Sequence, residues 1–195
     1  MADIKSALEI AMEKIAQMGE ATEEERLKWK HTPEGEKLAT RYLKEDCNLV
    51  AELSQHPENI RKYIAEGAAG ILIRNIDLPR HDAAKKSNRK AMDGLKILKS
   101  DKVGVENIYS RIRYLFNHYT ETGAQQRQQA YQSLKTELEA KVQQTIQQQL
   151  GSLKINIDVE KQPEFQQEWR RIQNQLDSQY LTLLSEYQRE LSAIS

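Results

Sequence analysis

The 195-residue chain is poor in the residues that staple or punctuate a fold: one cysteine, four prolines, eight glycines, and aromatics at only 6%. Cys47 has no partner for an internal disulfide, so no disulfide frames this fold. Its spacing with Leu43 and Val50 reads as a small core residue on a helical stripe, in a reducing compartment. No apolar run exceeds about six residues, whereas a bilayer-spanning helix needs about 20, so a membrane span is excluded. The amino-terminal "MADIKSALEI" carries Asp3 and Glu9 early and lacks a long apolar stretch, which reads as neither a secretory signal nor a transit peptide. Net charge is zero, from 29 basic and 29 acidic side chains, and that removes the high net charge that accompanies disorder.

What is abundant is Glu, Lys and Gln, all good helix formers, with modest apolar content. Such a chain buries narrow helix stripes rather than a thick core, and the expected protein is cytoplasmic, all-α and elongated. Ile4, Leu8, Ala11 and Ile15 predict a first helix from Asp3 to about Met18, stopped by Gly19. Thr22 and Glu25 have the spacing of a capping box for a short second helix. Thr32 then reads as the cap, and Pro33 as the first residue, of a third that carries Leu38, Tyr42, Leu43, Cys47, Val50 and Leu53. Pro57 opens the next helix toward Asp77, ahead of Pro79, and another follows Asp82 and runs to about Lys99.

Inside the Pro57 helix lies "GAAGILI", residues 67–73. A dinucleotide-binding loop needs a strand before its glycines, but "ENIRKYIAE" is helical in pattern, so that reading fails. Gly67 and Gly70 each cost about 1 kcal/mol relative to Ala in a helix, and close approach of a neighbouring helix is the simplest compensation. A short strand over Ile71–Ile76 is the competing local reading.

Beyond "KSDKVG" the composition shifts, with 17 glutamines in residues 124–195. Apolar positions at helical spacing predict one arm over about 105–150, with Gly123 as a soft spot or a break, and a second over about 163–194. The second arm's stripe is Phe165, Trp169, Ile172, Leu176, Tyr180, Leu183, Tyr187, Leu191 and Ile194. The expected architecture is a small helical body, residues 1–100, followed by a long antiparallel, coiled-coil-like helical hairpin over 105–195. In the connector 151–162, Leu153, Ile155, Ile157 and Val159 alternate with polar residues in the two-residue period of a strand. A lone strand needs a partner for its backbone, which makes these four residues candidates for self-association or for addition to another protein's sheet. The alternative is an extended connector over the hairpin end.

No residue pattern carries recognisable chemistry. The four histidines are scattered and form no metal-binding helical spacing, so no metal or cofactor is expected. His118 and Glu121 share a helical face but read as a solvated contact rather than an acid and base. Charge is unevenly placed, with 11 basic and 6 acidic side chains in residues 57–104. Arg80, Lys85, Lys86, Arg89, Lys90 and Lys96 form a basic segment within 80–102, read either as an anion-binding face or as an exposed helix balanced within the molecule. The sequence therefore predicts a non-enzymatic interaction or scaffold protein, a homo-oligomer or one docked to another protein. The alternative is a nucleic-acid- or ribosome-associated factor.

Overall fold

A computed structural model describes residues 22–45, 47–150 and 157–194. The helix expected from Asp3 to Met18, and the candidate residues Leu153 and Ile155, lie outside them. The described residues are helical throughout and include no strand: α1 (Glu23–Lys44), α2 (Leu49–Ser54), α3 (Glu58–Arg74), α4 (Asp82–Leu98), α5 (Lys102–Thr120), α6 (Thr122–Leu150), a 3-10 turn (Val159–Lys161) and α7 (Pro163–Ala193). The protein is all-α.

The helix ends follow local chemistry. The Thr22 hydroxyl accepts from the Glu25 amide at 3.2 Å while the Thr22 amide donates to the Glu25 carboxylate at 2.8 Å, a complete capping box. Asn48 and Asp101 cap α2 and α5 one way only, their side chains accepting from the Val50 and Ala51 amides and from the Gly104 amide. At α4 the cap is His81, whose Nδ1 accepts from the Ala84 amide, and Asp82 is already helical. The second and third helices read from the sequence are one: α1 runs through Thr32 and Pro33 without a stop. Pro33 is exposed and the carbonyl that loses its amide partner belongs to Trp29, itself 66% exposed, so the proline sits on the solvent-facing side of the helix. That same helix stops at Lys44, before Cys47. Cys47 is therefore half-buried in the link ahead of α2, off any helical stripe, and Val50 is 55% exposed.

The chain divides into two compact units, one ending at Leu72 and the other beginning at Ile73. In the first unit α1 and α3 cross at two glycines. A β-carbon on Gly35 would overlap the Ile64 carbonyl, and one on Gly67 would overlap the Thr32 carbonyl, so the two backbones touch directly. Tight helix crossing is thus the answer to GAAGILI, for Gly67 alone: Gly70 has open space where a side chain would stand. Ile71 to Arg74 are helical, not strand.

In the second unit α4 joins α5 through a short turn and packs on it, the buried Tyr109 hydroxyl donating to the Met92 carbonyl at 2.7 Å. The link before α4 is held by Asn88, 4% exposed, whose side chain exchanges two hydrogen bonds with the Asp77 backbone. The 105–150 arm is two helices meeting at Glu121, the C-cap of α5. Gly123, just past the junction, is buried and faces the Tyr180 hydroxyl, where a β-carbon would come within 3.0 Å. Along α7, Phe165 and Trp169 meet Tyr131 of α6, Tyr180 meets His118 and Tyr119, and Glu190 pairs with Arg111 of α5. The contacts descend along one side as they climb the other, so α7 runs antiparallel to α5 and α6. Gln188 of α7 donates to the Ile73 and Ile76 carbonyls at 3.2 and 2.8 Å, holding the start of this unit. One detail of the stripe slips: Leu184 is buried at 2% while Leu183 is 42% exposed.

Candidate interaction surfaces

The candidate strand is not formed at its described end. Val159 opens the 3-10 turn, closed by the Gln162 amide on the Val159 carbonyl at 3.1 Å. Its side chain is 3% exposed, inside a cluster with Leu134, Leu138 and Phe165. A hydrophobic neighbourhood within the chain captures its side chain. Ile157 is 37% exposed. The turn is latched to α6 by Glu160, which accepts from the Tyr131 hydroxyl at 2.6 Å and pairs with Lys135 at 3.2 Å. The Tyr131 hydrogen bond, followed by that of Lys135, holds the Glu160 carboxyl below its usual range.

The basic segment is largely engaged. Arg80 bonds Asp77 and Asp177, Lys85 pairs with Asp82 at 3.0 Å, Lys96 pairs with Glu106 at 2.9 Å, and Lys90 is not free either. Lys86 and Arg89 are exposed and make no ion pair among the described residues. His118 does not pair with Glu121; its Nδ1 lies 2.9 Å from the Tyr180 hydroxyl.

A polar junction that sequence reading missed centres on Asp177 of α7. Its Oδ2 accepts from Arg80 Nε at 3.1 Å and from the Tyr119 hydroxyl at 3.4 Å. Its Oδ1 faces Arg127 Nη1 at 3.8 Å, and these two buried atoms have no hydrogen-bond partner, so their mutual attraction is what compensates them. The Arg127 guanidinium also stacks on the Tyr119 ring, 4.1 Å from its centroid. Burial is the main reason the Tyr119 phenol is pushed above its usual range. Residues 80, 119, 127 and 177 have no short-range spacing, so only the folded chain brings them together. The junction ties the link after α3 to α5, α6 and α7; among the described residues no group of three or more His, Cys, Asp or Glu is placed to hold a metal.

A family model covers residues 50–193, far more than half of the chain, and describes a family of unknown function, DUF6657. The chain belongs to DUF6657. No curated protein and no solved structure matches it. The DUF6657 match begins inside α2 and ends at the last residue of α7, so the Asp177 junction, the basic segment and the 3-10 turn all lie within the family's span. No helix among the described residues is long and apolar enough to cross a membrane.

Proposed function

We propose that this DUF6657 chain is a non-enzymatic, cytoplasmic helical scaffold that self-associates or docks another protein through the arm made by α6 and α7. The observation that carries this reading is the reach of α6. The last α6 residue in its cluster with α7 among the described residues is Val142, and the helix continues from 143 to 150, about 12 Å further, with Ile146 half-buried. The exposed positions of this last stretch, residues 143–145, 147 and 148, offer surface for another molecule. The Gln-rich sides of the arm suit this role, because glutamine covers a helix without charge repulsion between partners.

The test is size exclusion with light scattering at low and high salt, on the wild type and on the double variant Ile146→Lys, Ile157→Lys. The wild type is expected to run at a multiple of its 22.6 kDa mass at both salts, and the variant at the single-chain mass with unchanged helicity. A single-chain mass for the wild type at every concentration refutes self-association. A second reading, phosphate contact through 80–102, is favoured only by the unpaired Lys86 and Arg89; a 260 nm signal that co-elutes at low salt and leaves at high salt would support it.

A further inference from the structure

A groove of about 690 Å³ runs between α4 and α5. One wall is a stripe of α4 from Lys85 through Arg89 and Asp93 to Lys96, which spans roughly 16 Å of helix. The other is the facing stripe of α5 from Glu106 through Arg113 to Asn117. Met92, Tyr109 and Phe116 form the floor, the first two buried and the third half-buried. The floor is apolar in character: the Tyr109 hydroxyl is occupied by the Met92 carbonyl, and burial pushes its pKa up, so it stays a neutral phenol.

The rim is charged, and unequally so. Lys85, Arg89, Lys96 and Arg113 line it together with Asp93 and Glu106, and Lys85 is also paired with Asp82 at 3.0 Å. Glu106 is already neutralised from both sides, by Lys96 at 2.9 Å and Arg113 at 2.6 Å, and these hydrogen bonds hold its carboxyl below the usual range. Arg89, in the middle of the α4 wall, is exposed without an ion partner among the described residues. A floor of Met92, Tyr109 and Phe116 about two helical turns long, bordered by four cations and two carboxylates among the lining residues, selects its occupant by shape and by sign. We infer that the groove docks an amphipathic helix of another protein, one whose apolar stripe faces Met92 and Phe116 and whose flanks carry Asp or Glu.

Helix-in-groove recognition uses apolar anchors at i, i+3 or i+4, and i+7, which match a groove of this length, and methionine in the floor adapts to more than one anchor shape. Single-stranded nucleic acid fits less well. It needs aromatic faces on which bases stack, whereas the floor presents one half-buried ring, and Asp93 and Glu106 would face its phosphates. This inference concerns a different surface from the α6–α7 arm, and neither depends on the other.

The experiment is peptide display against the full-length chain from a random library, followed by anisotropy titration of the enriched peptides on the wild type, Arg89→Glu and Lys86→Glu. Arg89 lines the groove; Lys86 undergoes the same charge change on the same helix outside it. The expected result is enrichment of acidic sequences with helical apolar spacing, whose affinity falls at least about tenfold in Arg89→Glu and little in Lys86→Glu. No enrichment, enrichment of non-acidic peptides, or equal losses in the two variants overturns the proposal. So does a single-stranded oligonucleotide whose binding is abolished by Arg89→Glu and which displaces the peptides, since the groove would then be a nucleic-acid site.

Discussion

The crossing of α1 and α3 and the contact of α7 with α6 are both helix–helix contacts, built on opposite principles. The first depends on side chains that are missing: Gly35 and Gly67 let carbonyl oxygens of the facing helix lie against bare backbone. The second depends on large ones. Phe165 is fully buried, Tyr131 stands edge-on to both Phe165 and Trp169 at about 5 Å, and Val159 fills the side of the cluster. A backbone contact is intolerant of any added atom, whereas an aromatic cluster is intolerant of loss. The two regions should therefore respond in opposite senses to the same kind of substitution.

The largest effect is expected where volume is removed. Phe165→Ala should destabilise the second unit by about 3–5 kcal/mol, read as a lower urea midpoint with an unchanged slope. A loss below about 1 kcal/mol would mean that the cluster is loosely packed and the contrast false.

The comparison sharpens when volume is added. Gly67→Ala should destabilise by about 1–3 kcal/mol through overpacking, against a helix-propensity gain of about 1 kcal/mol. Gly70→Ala, only three residues away and with open space around it, should stabilise by up to about 1 kcal/mol. Thermal melts of the two variants decide it, and equal shifts of the same sign would show that the α1–α3 crossing is not close.

The smallest effect concerns the latch beside the aromatic cluster. Because the folded Glu160 carboxyl is depressed, its contribution is present above the unfolded carboxyl's range and is lost as pH falls through the lower folded value. The stability gap between wild type and Glu160→Gln should therefore be present at neutral pH and close below about pH 4. Denaturant titrations of both proteins across that range test it; a gap independent of pH would show that the charge on Glu160 does not matter.

Much of the fold is legible residue by residue. The capping box at Thr22, the starts near Pro57, Asp82 and Pro163, and the buried series Val105, Ile108, Ile112, Leu115 and Tyr119 follow from local rules that hold before any tertiary contact exists. Pro33 misled because a Thr-Pro pair has the same local sequence at a helix start and inside a continuing helix, and only the solvent-facing position of Pro33 lets the helix run on without its hydrogen bond. Leu183 and Leu184 exchanged roles because adjacent leucines both fit a stripe of mean period near 3.6, and only the facing helix selects one. The alternating run ending at Val159 carried a genuine two-residue period, but the Leu134, Leu138 and Phe165 cluster captured its last residue in a turn.

The surfaces were less legible than the helices. The basic segment was visible as composition, yet its partners were not: Asp177 stands 97 residues from Arg80, and no spacing rule links them. By itself, then, the sequence determined that this chain is helical and where most helices begin, because hydrogen bonding within one turn and apolar periodicity are local. Tertiary structure alone decided which glycine touches a neighbour, which cations stay unpaired, and that α4 and α5 leave a groove between them. Those outcomes depend on what each face meets across the fold.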